Sequence, residues 1–327
     1  MAELVTAGPD AVQRILESTY PIWNEGLSLD GYIRWNAVQA RTAWGAAHLR
    51  RVALMEGDAI LASAKWYDIP ARLDGRDIRV LGIGAVFTPV SLRGQGHAPE
   101  LIRRMLAEAE HDGYHAAALF SEIDAPYYER LGFAVVPRET LTLDVIQKKG
   151  APASLVRAGN ETDLTRLAEL HDIGDAFARL SPRRTKDLVQ FAVSKRRTMS
   201  ALAPLGLRTT EFWVSEEGNH AVAYVLISRG PTGNLGDGPE VMWIDACGAR
   251  DPTGARVGAI LQVLYARTPT ETQPPLRAWL PSGWLPPQVK IASREPAADI
   301  LMVKPLGGTT LLPLHGTEVT WWRADSF

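Results

Sequence analysis

Gly84-Ala-Val-Phe-Thr-Pro-Val-Ser-Leu-Arg-Gly-Gln-Gly-His-Ala98 carries an apolar strand through a glycine-rich turn into the start of a helix. The strand side, Ile78 to Thr88, is apolar enough to be buried on both faces. On the helix side, Pro99 to Glu110 places Leu101, Ile102, Met105, Leu106 and Ala109 in phase, with Pro99 suited to a first turn and Gly113 to a stop. Such a junction offers an anion converging N–H donors and the positive end of a helix dipole. Gly94 and Gly96 let the backbone come close to that anion, and Arg93 adds a permanent charge. The same pattern also serves tight strand-to-helix packing, so the turn alone leaves both readings open. His97-Ala98 is not the Lys followed by Ser or Thr of a P-loop, and no third glycine follows Gly82-x-Gly84 at dinucleotide spacing.

Upstream, Pro9 to Ser18 and Tyr32 to Trp44 have helical periodicity, and His48 to Met55 with Ala59 to Tyr67 predicts a hairpin around Glu56-Gly57-Asp58. Downstream come a short strand at Ala116 to Ser121, a short helix at Ala125 to Arg130 and a strand region from Phe133 to Val145. This order predicts a mixed α/β sheet. Lys148 to Pro152 has the composition of a linker. Beyond it the order of elements repeats without residue-by-residue identity. There is a strand at Leu155, a helix capped by Asn160, a helix from Thr185 to Leu202, and a hairpin of Phe212 to Ser215 with Ala221 to Ser228. A strand from Val241 to Ala246 and a helix from Val257 to Tyr265 follow. The expected units are therefore 1–147 and 153–327.

Composition narrows the partners. The chain has 327 residues, a formal net charge of -2 and no long Lys/Arg run, which argues against a dedicated nucleic-acid binder. Cys247 is the single cysteine, which excludes an internal disulfide framework and a multi-cysteine metal site and fits the cytoplasm. No metal is expected from the histidines. No apolar stretch of about 18 residues occurs, so membrane spanning is not expected.

Two motifs in order, Arg93-x-x-Gly96-x-Ala98 and Tyr127-Tyr128-Glu-Arg-Leu-Gly132-Phe133, resemble the signatures of the GNAT superfamily of N-acetyltransferases. The resemblance covers about residues 45 to 145 and implies acetyl-CoA as co-substrate and, as acceptor, a primary amine of a small molecule, amino acid, peptide or protein lysine. It implies that the backbone at Val86, Phe87 and Thr88 pairs with the pantetheine arm. The turn of Arg93, Gly94, Gln95, Gly96, His97 and Ala98 would hold the pyrophosphate, and Tyr128 would sit near the thioester sulfur. Ser121 stands at a cofactor-contacting place where many relatives have Asn. A phenol can donate to a departing thiolate. An attacking amine must lose a proton, and Glu122 is the candidate acceptor; Asp68 and Glu25 are weaker candidates for substrate contact, and an exposed strand-end carboxylate remains the plain alternative for Glu122. The second half lacks both motifs, so the whole resembles tandem-GNAT enzymes. That implies two GNAT-like domains, each a mixed, mostly antiparallel sheet flanked by helices, with only the first binding acetyl-CoA. The alternative function is a non-catalytic acyl-CoA-binding or regulatory module.

Thr317 to Arg323 has the β-branched and aromatic content of a strand. We expect it to return across the domain junction, with Trp321 and Trp322 forming a wall of the active site. In the tandem enzymes a terminal carboxylate reaches that site, which makes Phe327 a more remote candidate base.

Overall fold

The protein is represented by a computed structural model that describes residues 1–146, 155–267, 273–281, 283–310 and 313–327. The linker expected at Lys148 to Pro152 lies outside the described residues. The first half runs β1 (Glu3–Thr6), α1 (Pro9–Trp23), α2 (Leu29–Arg41), α3 (Ala43–His48), β2 (Leu49–Glu56), β3 (Ala59–Leu73), β4 (Arg76–Phe87), α4 (His97–His111), β5 (Ala116–Ser121), α5 (Pro126–Glu129), β6 (Ala134–Val135) and β7 (Glu139–Val145). The second runs β8 (Leu155–Ala158), α6 (Leu164–Asp175), β9 (Leu180–Pro182), α7 (Lys186–Leu202), β10 (Thr209–Glu217), β11 (His220–Pro231), β12 (Glu240–Ala249), α8 (Ala255–Ala266), β13 (Leu276–Ala278), β14 (Val289–Pro296) and β15 (Ile300–Pro305).

Local chemistry explains most boundaries. Ser28 and Thr185 accept from Gly31 and Leu188 and so cap α2 and α7. The helix expected over Tyr32 to Trp44 is two helices. Thr42 adopts an extended backbone that ends α2, and its hydroxyl caps α3 by accepting from Gly45.

The fold is α/β, with two mixed, mostly antiparallel sheets flanked by helices. One sheet has the order β1-β2-β3-β4-β5-β15-β6, with β9 on the far half of β3, and the other has the order β14-β7-β13-β12-β11-β10-β8. The parallel contacts fall at the same place in each, β4 with β5 and β12 with β13. The halves also trade strands. β15 inserts between β5 and β6, while β7 inserts between β13 and β14, so each sheet is completed by the other half of the chain. The strand region expected from Phe133 to Val145 is accordingly divided, β6 staying in the first sheet and β7 crossing to the second.

The tail from Thr317 to Arg323 is not a strand. It is a 3-10 turn at Gly316–Glu318, a single bridge from Val319 to Leu180 and a second 3-10 turn at Arg323–Asp325. It meets β9 only through that bridge, and side-chain packing anchors it. Trp321 is buried in the core beneath the first sheet and Trp322 in the core of the second.

Candidate active site

The site begins where two parallel strands part. β4 and β5 pair from Val80↔Ala116 to Ile83↔Leu119 and no further. An extra residue in β4 opposite Ser63 to Lys65 makes a bulge, and Ala85 takes a φ of 47° there. The bulge turns β4 aside, so Val86, Phe87 and Thr88 have no strand on their β5 side. The Thr88 hydroxyl oxygen is buried without a hydrogen-bond partner.

Past the splay, Gly94 and Gly96 adopt φ of 78° and 83°, a region that favours glycine. Gly96 is the N-cap of α4 and supplies no side-chain cap, which leaves first-turn N–H groups open to an external acceptor. A Cβ on Gly94 or Gly96 would meet nothing within 4 Å, so packing does not account for these glycines. Arg93 is exposed, its Nε 3.4 Å from the Thr88 carbonyl oxygen, and Gln95 and His97 contact each other at 3.4 Å beside the turn. Ala98 follows in the first turn of α4.

The second half closes the same two features with its own side chains. Gly254, with φ 70°, caps α8 as Gly96 caps α4, but a Cβ there would lie 2.5 Å from the Trp284 ring. Asp251 accepts from the N–H groups of Ala255 and Arg256 at 2.9 and 3.4 Å, so a carboxylate of the chain sits at the anion position. The bulge in β12 places the buried Asp245 where Arg323 and Arg196 pair with it.

Tyr128 lies at the end of α5. Gly132, with φ 86°, reverses the chain so that the Phe133 N–H donates to the Tyr128 carbonyl at 3.2 Å, which is why Tyr is followed by Gly-Phe at this spacing. The Tyr128 ring is buried between Tyr127 and Phe133. Burial pushes its hydroxyl up to about 12, with Tyr127 and Glu122 adding smaller pushes. Glu122 is therefore within electrostatic reach. It is exposed, and its Oε2 accepts from Trp23 Nε1 at 3.3 Å and from Asn234 Nδ2 at 2.8 Å, which ties α1 to the β11–β12 connection. Ser121 is buried and turned into its own loop, donating to the Ile123 carbonyl at 2.6 Å and accepting from its N–H at 3.2 Å.

The tail forms the opposite wall. A Cβ on Gly84 would lie 2.8 Å from the main-chain carbonyl carbon of Phe327, and one on Gly82 would lie 3.0 Å from its ring. The two glycines are the space that the tail occupies. The Phe327 ring packs on Tyr67, Phe120 and Trp321 with centroids 5.1 to 5.9 Å apart, and Phe87 packs edge-on against Trp23. Asp68 and Glu25 are held elsewhere, Asp68 by Arg79 and Glu25 by Arg208. Trp23 and Asn234 escape sequence reasoning, because each comes to the site by tertiary contact and neither sits in a local motif.

A family model for the acetyltransferase (GNAT) domain matches residues 33–136, the stretch that holds the splay, the turn and Tyr128. The first half of this chain carries a GNAT domain. Acyl transfer is the reaction class of that family. No curated protein matches the chain by sequence. Among solved structures, a GCN5-related N-acetyltransferase from Anabaena variabilis superposes with a TM-score of 0.63 at 12% identity, over 93% of this chain and 72% of its own. A probable N-acyltransferase from Enterococcus faecalis gives 0.68 at 9% identity, over 94% and 73%. Saccharomyces cerevisiae N-myristoyltransferase with bound myristoyl-CoA gives 0.56 at 11% identity, over 96% and 84%. At these identities the likeness is one of fold, and it extends beyond the GNAT domain to both sheets. Among the described residues no helix is long and apolar enough to cross a membrane.

Proposed function

We propose that the chain moves an acetyl group from acetyl-CoA to an amine of a small molecule, amino acid or peptide lysine. The observation that carries this reading is the β4–β5 splay running directly into an uncapped, open-faced helix N-terminus, with a buried tyrosine beside it. The pyrophosphate of acetyl-CoA rests on Gly94 to Ala98 with Arg93 alongside. The pantetheine arm pairs with the free edge of Val86, Phe87 and Thr88, where the partnerless Thr88 hydroxyl is at hand. These residues belong to the unit 1–147, and the unit 153–327 supplies structure without a cofactor turn of its own.

In the transfer, the amine nitrogen forms a bond to the acetyl carbonyl carbon, the carbon–sulfur bond breaks, and the thiolate departs. Glu122 takes the proton that the nitrogen must lose, positioned by Trp23 and Asn234. Tyr128 donates a hydrogen bond to the sulfur. With its hydroxyl at about 12, full transfer of that proton to a thiolate near ~8.5 is uphill by roughly 5 kcal/mol, so hydrogen bonding is the role the burial favours. Release of CoA thiol from acetyl-CoA in the presence of an amine panel tests the proposal. Amine-dependent release is expected; binding of acetyl-CoA with no release on any amine would favour an acyl-CoA-binding module.

A further inference from the structure

On the face of the first sheet turned toward α2 and α7, Arg51 of β2 lies directly opposite Lys65 of β3, and Lys65 lies directly opposite Gly84 of β4. Two like charges facing each other across strands destabilise a sheet unless something between them offsets the repulsion. Among the described residues no ion pair does so. Arg51 donates to Asn36 Oδ1 at 3.1 Å and its Nη1 is buried with no partner. Lys65 reaches the Gln39 amide oxygen at 3.5 Å and the face of Trp35, both uncharged. Lys195 joins them from α7, its ammonium donating to the Ser326 carbonyl oxygen at 2.6 Å. Among the described residues no carboxyl group pairs with Arg51 or Lys65.

The imbalance extends into the junction between the halves. Arg196, Arg208 and Arg323 share that space with Glu25 and Asp245, which are already paired with them. Arg51, Lys65 and Lys195 are the surplus. Burial, then the neighbouring Arg51 and Lys195, hold the Lys65 ammonium well below its usual value, and a carboxylate bound beside it would favour the charged form again. The row ends at Gly84, where the strands part and the Phe327 main chain stands, so an anion held here places its attached groups toward the splay.

We propose that the acceptor amine carries a carboxylate, and that Arg51 and Lys65, flanked by Lys195, hold that carboxylate against this face of the sheet. The acceptor is then of the amino-acid class. This rests on the acetyl-transfer reading and specifies its substrate.

The test compares pairs that differ by the carboxylate: L-lysine with cadaverine, L-phenylalanine with phenethylamine, L-leucine with isopentylamine and L-alanine with ethylamine. Each is mixed with acetyl-CoA and the intact protein, and product is read by mass. At least one amino acid should exceed its partner by about 100-fold or more in kcat/KM, since a site built for a charged group rejects the analogue lacking it. Lys65→Met should reduce that preference to below about tenfold, chiefly through KM. Equal or better turnover of the plain amine in every pair would overturn the proposal. If nothing is acetylated, the acetyl-transfer reading fails, and calorimetry still decides this one. The N-acetyl amino acids should bind and their N-acetyl amine partners should not, with binding lost in Lys65→Met. Absence of that discrimination, including no binding by any of them, would overturn it.

Discussion

Tyr128 and Lys195 show how burial sets what a residue does. On the proposed mechanism, removing the Tyr128 hydroxyl takes away a donor to the departing sulfur and nothing that touches the phosphates. Tyr128→Phe should therefore lower kcat at least tenfold, while acetyl-CoA affinity measured by calorimetry stays within about twofold. An unchanged kcat would remove Tyr128 from the reaction. Lys195 is pushed down to about 7, first by burial and then by Arg196 and Arg323, from 10.5. Between those values the unfolded chain holds a proton that the folded one does not, so folding is penalised most below pH 7 and the penalty is relieved as pH rises toward 10.5. Lys195→Met should raise Tm relative to wild type at pH 6, by a difference that shrinks steadily up to pH 9.5, following a slope of roughly 1 kcal/mol per pH unit or less. A difference independent of pH would mean that Lys195 is not held neutral.

At the scale of elements, the bulge, the turn and the tail make the site. Deleting Trp321 to Phe327 removes two large buried side chains, each stabilising by ~1.5–3 kcal/mol, so the milder Phe327→Ala separates packing from catalysis. Phe327→Ala should raise KM for the amine more than about fivefold with acetyl-CoA affinity nearly unchanged, as steady-state kinetics with each substrate varied would show. An equal loss for both substrates would place the tail outside the acceptor pocket. The turn and the Tyr-to-Gly-Phe stretch were legible because their chemistry is local: positive φ at Gly94, Gly96 and Gly132 demands glycine where the sequence has it. The acceptor side was not. Trp23 lies beyond the Pro9 to Ser18 helix that the periodicity predicts, Asn234 reads as a loop residue, and the opposition of Arg51 to Lys65 exists only once the register of β2 on β3 is known. The tail misled because Val319 to Trp322 has strand composition, yet its large side chains are buried by packing into two cores rather than by pairing.

The molecule as a whole is bound by exchange. β15 covers the edge of β5, and β7 leaves the first half to pair with β13 and β14, so neither half holds a complete sheet from its own residues. Residues 1–147 expressed alone would expose the β5 edge and carry β7 with no sheet to join, and should aggregate in sedimentation or scattering measurements. A soluble, active fragment would contradict the structural role of the second half. The exchange sits between two sheets of like topology that differ at their anion positions: the Gly96 turn is open, while Trp284 and Asp251 fill its counterpart. On the proposed function, one acyl-CoA site per chain follows. Calorimetric titration of the intact protein with acetyl-CoA tests that most directly. We predict one site per chain, abolished by Gly96→Glu in a variant that remains folded; two sites, or one site that survives the substitution, would contradict the account.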